Sequence, residues 1–326
     1  MSAVSADATS PKPRISLTEA FRRYGTFFIF VLLVVVASWQ SPAFLTERNI
    51  MNVLRQVSGT GIMAVGMLFV ILTRGIDLSV GSVAALGSVL SALFIARWAP
   101  GAALPLVVLA GAACGAVTGF LVAYVRLQAF VMTLAMMTMA RGLALIISKG
   151  QPQMVGDAGS VLTAFGAGYV FGVPMPVILM LVIFGIAGIV LGFTRFGRLV
   201  KAIGSNEEAV RLSGIAVPRY VMAVYIISGA LAAVAGIIST SRSGVGSATV
   251  GVGAELDVIA AVVIGGASLM GGRGGVFNTF LGVLVLGVIG NIMNLANVPG
   301  YHQQVFMGVI IVIAMLLQNG TAWLRR

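Results

Sequence analysis

Apolar runs of about 16 to 25 residues alternate along this chain with short polar or glycine-rich breaks. A run of roughly 18 or more apolar residues can cross a bilayer as a helix. The pattern predicts spans at roughly 24–40, 57–73, 80–97, 102–125, 129–148, 174–194, 217–241, 255–270, 275–295 and 302–320. The expected fold is therefore all-α, a polytopic membrane protein of about ten transmembrane helices occupying residues 21–326. Residues 1–20 are polar and rich in Ser, Ala and Pro, and are expected to form a disordered tail. The run after Arg22 and Arg23 is long for a signal-peptide core and lacks a small-residue cleavage site, so it is read as the first membrane helix.

The longest polar interruption runs from Gly197 to Gly214 and carries helix-end signals. Ser205 and Glu208 have capping-box spacing, in which each side chain satisfies a free backbone donor at a helix start. Asn206 lies between them and the first-turn pair Glu207 and Glu208, where the helix dipole favours negative charge. Gly214 supplies a left-handed stop and Pro218 follows. The predicted helix has about two turns, short of the ~12 residues that make a helix marginally stable alone. Ala209 and Leu212 are expected to form its small apolar face, while Glu208, Arg211 and Ser213 look elsewhere. Such a segment is expected to dock into another protein.

Two spans, 80–97 and 255–270, are short and adjoin glycine-studded breaks at Gly75–Ser82 and Leu269–Val276. Backbone leaves the helix at membrane depth only where protein or water satisfies it, so such breaks often line cavities. Close helix packing is the rival reading, and 42 glycines spread along the chain favour it for most of them. Residues 41–56 are read as a short interfacial helix and 149–173 as an outer loop. Five crossings before the sixth would give the two halves opposite orientations, as in an inverted repeat, although residue-level similarity between them is weak.

Composition supports the membrane reading. The chain is 59% hydrophobic and only 9% charged, with a mean hydropathy of +1.07, against about a quarter charged in soluble domains. Its net charge of +11 comes from basic residues scattered between apolar runs, not from a dense patch that would suggest nucleic acid. With the N-terminus inside, only Arg48, Arg55, Arg97, Lys149 and Arg242 fall outside, and Arg141 falls within a helix. That bias, about three to one, places both termini and the 197–214 stretch in the cytoplasm. The one cysteine, Cys114, sits in an apolar run and is read as packing.

No catalytic set can be placed. His302, the sole histidine, stands at an outer helix start and is read as an interfacial residue or part of a solute path. Glu255 and Asp257 are read as a solvated helix start at the outer end of a span. None of the lysines is followed by Ser or Thr, so there is no phosphate loop for ATP. Candidate path or gate residues are Asp77, Ser79 and Arg141, because ionisable groups in a membrane are usually functional. A local Arg74–Asp77 pair at a chain turn fits Asp77 equally well. Asn278, Asn291 and Asn294 join them from a stripe with a spacing of about three that lipid would penalise, with interhelical hydrogen bonding as the alternative. Few mid-membrane carboxylates are foreseen, which points to an energy source outside the chain and against a self-contained carrier.

Three stretches resemble the permease subunits of bacterial ATP-binding-cassette importers of the ribose and monosaccharide type, within the branched-chain amino acid/sugar permease superfamily. They are G-I-D-L-S-V-G-S at 75–82, G-R-L-V-K-A-I-G-S-N-E-E-A-V-R-L-S-G-I at 197–215, and the segment at 255–275 ending in M-G-G-R-G-G. The resemblance implies a homodimeric ten-helix permease with the vitamin-B12-importer-like (type II) fold, in the bacterial inner membrane. It implies two cytoplasmic ATPase subunits that hold ATP and Mg, a periplasmic solute-binding protein, and no cofactor on this chain. Residues 205–214 would be the coupling helix. The importer signature of Glu-Ala-Ala, three residues, then Gly resembles Glu208, Ala209, Val210 and Gly214, with Val210 replacing the second alanine. Val224 stands where the longer signature has isoleucine, and no Leu-Pro follows, which fits the sugar subgroup. Related permeases for nucleosides, autoinducer sugars or amino acids share this hydropathy.

Overall fold

The computed structural model describes residues 17–323, so the expected tail lies largely outside the described residues. Helices carry most of the chain: α1 (Leu17–Gln40), α2 (Glu47–Leu72), α3 (Val80–Ile95), α4 (Pro100–Ala123), α5 (Ala129–Ser148), α6 (Ser160–Ala167) and α7 (Met175–Phe193). There follow α8 (Arg195–Ser205), α9 (Glu207–Leu212), α10 (Val217–Ser243), α11 (Ala254–Ile264), α12 (Val276–Leu295) and α13 (Gly300–Trp323). Among the described residues, 6 helices are long and apolar enough to cross a membrane, namely α2, α4, α5, α7, α10 and α12. The separate interfacial helix expected at 41–56 is not formed. Thr46 caps α2 by accepting from the Asn49 N–H (3.4 Å), and the helix then runs unbroken to Leu72. The 149–173 loop is also more structured than expected. It holds α6 and the strand β1 (Gln153–Met154), which pairs with β4 (Val245–Gly246), while β2 (Tyr169–Val170) pairs with β3 (Val173–Pro174).

The spine is α10, wrapped by α2, α3 and α4. Its buried face is made of small residues, among them Ser228, Gly229, Ala232, Ala233 and Gly236, so neighbouring backbones come into contact. Gly229 and Gly111 of α4 cross in reciprocal contact: a Cβ on either would collide with the other's carbonyl oxygen. Gly119 meets Met222 and Gly115 meets Tyr225, so α4 runs antiparallel to α10. Gly66 meets Ser228 and Gly59 meets Ala235, so α2 is antiparallel as well. By contrast, Asp77 bonds Ser228, Gly236 packs on Ala84, and Ser88 bonds Thr240 (2.7 Å), so α3 runs parallel to the spine.

These contacts also show where α3 begins. At 1.5 Å per residue the spine is about 40 Å long, and Ser228 lies about 17 Å from its start. The chain leaves α2 at Leu72, climbs through the irregular segment 73–79, and only then starts α3, about halfway along the spine. A matching break lies in the second half. After α10 the chain doubles back, with Ser247 N–H donating to Ser88 Oγ (3.1 Å) and Gly251 packing against Gly81. Only then does α11 begin, and Ala261 and Gly265 meet Gly282 and Asn278 in an antiparallel pair with α12. In turn α12 is antiparallel to α2, through Asn291 with Asn49 and Gly287 with Val57. Thus α3 and α11 start at one level and run in opposite directions, two half-length helices of inverted sense. The break at 244–253 was missed, although Gly244, Gly246, Gly251 and Gly253 mark it in the sequence.

Close backbone packing gives a direct test. A Cβ at Gly236 would collide with the Ala84 carbonyl, whereas nothing lies within 4 Å of one at Gly185. Gly236→Val should destabilise the purified protein by on the order of 1–3 kcal/mol or abolish its accumulation. Gly185→Ala should leave thermal unfolding followed by size-exclusion chromatography unchanged or slightly raised.

Candidate functional site

The stretch between α7 and α10 folds as two helices. In α8, Thr194 caps the start by accepting from the Gly197 N–H (3.2 Å), and Val200 and Ile203 face inward. Ile203, Val210 and Val217 form a small apolar cluster that seats the α8–α9 corner on the foot of α10. The expected capping box is not formed. Ser205 ends α8, with its hydroxyl donating to the Lys201 carbonyl (3.0 Å), and Asn206 caps α9 by accepting from the Ala209 N–H (3.0 Å). A carboxamide can accept from that position as well as a hydroxyl can. Glu208 is then free to take two bonds from Arg211, at 2.7 and 3.1 Å. The expected apolar face is also corrected: Val210 is the buried residue of α9, and Ala209 and Leu212 are exposed, Leu212 at 77%. Glu207 and Ser213 face outward too, and Gly214 stops the helix at φ +77°.

This six-residue helix thus exposes a leucine beside a Glu–Arg pair and buries one side chain. A cleft of about 420 Å³, lined by Phe196, Gly214, Ile215, Arg219 and Tyr220, opens next to it. Glu208 titrates below the ordinary glutamate range because Arg211 hydrogen-bonds it. A depressed carboxyl contributes stability in full above its unfolded pKa of about 4.3, lost as pH falls through the lower folded value, so the pair is intact at neutral pH.

Arg74 holds this corner to the bundle. One of the two readings paired it with Asp77, but its Nε donates to the carbonyls of Gly204 (2.8 Å) and Met270 (3.1 Å), and its Nη2 to that of Ser205 (2.9 Å). Beside it, the Gly272 N–H donates to the Leu72 carbonyl (3.0 Å), and Gly204 packs so tightly on that carbonyl that no Cβ fits. The planar guanidinium lets one side chain reach carbonyls on separate segments. Gly204 of the 197–215 stretch and Met270 and Gly272 of the 255–275 stretch therefore converge at the α9 end on Leu72 and Arg74, which lead into the 75–82 stretch.

Asp77 works further in. It is 2% exposed; Oδ1 accepts from the Ser79 N–H (3.0 Å) and Ser79 Oγ (2.6 Å), and Oδ2 from Ser228 Oγ (2.7 Å). Asp77 thus takes the N–H and hydroxyl of Ser79, the residue ahead of α3, and pins the start of that helix to α10. The other candidates separate. Asn291 forms a reciprocal amide pair with Asn49 (2.9 and 2.8 Å), and Asn294 accepts from Gln303 (2.9 Å), so both act as interhelical links. Asn278 contributes its backbone to the close α11–α12 contact at Gly265. Arg141 donates to the Ala248 and Val250 carbonyls (2.7 Å for the latter), fastening α5 to the doubled-back segment. His302 is exposed, its ring 4.5 Å from that of Tyr301, and Cys114 packs between two apolar clusters. Glu255 and Asp257 do not sit at an outer rim. Glu255 lies against Gly81, at the level where the half-helices start, because 244–253 carries the chain inward before α11 begins.

Residues 49–315 match the family described as branched-chain amino acid transport system / permease component. The ribose import permease protein of Escherichia coli strain K12 is 45% identical over 89% of this chain and 91% of its own. That of Bacillus subtilis is 43% identical over 94% and 95%, and that of Haemophilus influenzae 41% over 90% and 92%. No solved structure matches.

Arg74→Ala leaves three carbonyls without their donor. Hydrogen exchange of amides 203–214 in the purified protein is expected to speed up about tenfold or more, since charged hydrogen bonds are worth ~1.5–3 kcal/mol. Arg74→Lys, which keeps the charge but not the fork, should fall between the two.

Proposed function

The chain belongs to the branched-chain amino acid transport system permease component family, and we propose that it forms the membrane path of an ATP-driven importer for a monosaccharide, ribose first among them. The observation that carries this is the 41 to 45% identity to ribose import permeases over most of both chains. The D-allose and L-arabinose permeases of Escherichia coli strain K12 match at 38%, which supports ribose over other sugars. The chain is a multi-pass inner-membrane transporter subunit. On this reading ten helices cross the membrane, in the type II permease arrangement, with α9 and both termini in the cytoplasm. Two copies of the chain pair with two ATPase subunits, which hold ATP and Mg, and a periplasmic binding protein delivers the solute.

The permease itself does no covalent chemistry. ATP binding closes the paired ATPases, each of which grips an α9. The exposed Leu212 and the Glu208–Arg211 pair give that grip an apolar centre and a charged rim. Motion of α9 passes through the α8 corner and the Arg74 bonds to segment 73–79, which carries Asp77 in the middle of the bundle. Because α3 starts there, a shift of the corner repositions a half-helix at mid-depth. In this way a surface event reaches the solute path.

Two variants test the grip. Glu208→Arg reverses the charge on the rim, and Gly214→Val places a β-branched residue at φ +77°. In vesicles holding permease, ATPase and binding protein, ribose uptake should fall by about tenfold or more. Permease content of the membrane should stay as in the parent. Normal uptake in both would rule out docking through α9.

A further inference from the structure

One charged neighbourhood remains outside the coupling machinery. Arg141 of α5 and Glu255 and Asp257 of α11 gather at the level where α3 and α11 begin. Arg141 holds the carbonyls of Ala248 and Val250, a few residues ahead of Glu255. Glu255 stands against Gly81 and acts electrostatically on both Arg141 and Asp257. Gly81 precedes Ala84, which packs on Gly236, by one helical turn, so it lies level with about residue 233 of α10. That is some 24 Å along a spine of about 40 Å, well inside the span.

All three side chains stay partly exposed in the single chain, and Val252 and Leu256 beside them are 74% and 58% exposed. Hydrocarbon cannot be what they face, because an ionised side chain at the bilayer centre is costly. A second copy packed directly on this patch about a two-fold axis would bring like carboxylates together in a dry interface. Water is the remaining neighbour. We propose that Arg141, Glu255 and Asp257 form a polar station on the translocation path that contacts a neutral, hydroxyl-rich solute. Arg141 supplies donors and the carboxylates supply acceptors, the complement that sugar hydroxyls require. A ring of one sign would instead select ions. The half-helices position the station, since each delivers its first turn to mid-depth without a full crossing in the way.

The inference rests on the importer reading, and its test separates the two. The whole transporter, with Cys114→Ala as background, is assembled in vesicles with its ATPase and binding protein, and ATP-driven uptake of labelled ribose is measured first. Failure at that step strikes the importer reading. Given uptake, Glu255→Cys and Asp257→Cys should react with a charged, membrane-impermeant methanethiosulfonate. Reaction should block uptake and be slowed by ribose. Val182→Cys, at a half-exposed position on the apolar α7, should stay unreactive. Glu255→Gln should lower ribose moved per ATP hydrolysed by about tenfold, while the assembled complex is recovered in full. A purely structural role would instead reduce recovery. The proposal is overturned if the cysteines react only with lipid-soluble reagents, if modification leaves uptake unchanged, or if Glu255→Gln transports with the parent's stoichiometry.

Discussion

A peptide group inside a bilayer has no water to fall back on, so every departure from helix must be satisfied by the protein itself. Among the described residues the segments 73–79, 244–253 and 265–275 depart from helix, and each is held by a specific device. Asp77 takes the Ser79 N–H at the head of α3. Arg141 donates to two carbonyls of the second segment. Arg74 and the Gly272 N–H tie the third to the α8–α9 corner and the end of α2. Two arginines therefore act as backbone substitutes, supplying in a planar fork the donors that a helix would have provided.

The same devices make the molecule mechanically continuous. From the outward face of α9 to the start of α3 the links are short and mostly charge-assisted: the corner carbonyls to Arg74, two further residues to Asp77, and Asp77 to Ser228 on the spine. Bonds of this kind are shorter and stronger than neutral ones. The spine is packed backbone to backbone with α4, as at Gly111 and Gly229, and segment 73–79 is tied to it through Asp77 and Ser228. The apolar helices behind it supply area; the links between α9 and α3 come from a handful of polar contacts.

Much of the α8–α9 corner was legible in the chain. The polar stretch at 197–214, the left-handed Gly214 and the outward-facing Glu208 and Arg211 follow from turn chemistry and spacing, and they appear where expected, while the ion pair between the two side chains came only with the structure. The capping residue did not. Ser205 and Asn206 are both good caps, and choosing between them depends on where α8 ends, which is set by Ile203 and Val210 packing under α10. The inward residue of α9 was misjudged for a related reason. In six residues a helical period is too short to show its buried side, and only the neighbour decides it.

The sequence by itself determined a polytopic helical protein, the order of its main apolar helices, and the three stretches that matter, because apolar length and glycine placement are local properties. Partnership and depth were decided by tertiary structure. Arg74 and Asp77, three residues apart, look like a pair on paper, yet one bonds outward to Gly204 and Ser205 and the other inward to Ser228. Glu255 and Asp257, read from hydropathy as an outer rim, stand at mid-bundle because the preceding glycine-rich segment folds back along α3. A hydropathy pattern orders residues along the chain, but it cannot say how far an irregular segment has travelled through the membrane before the next helix begins.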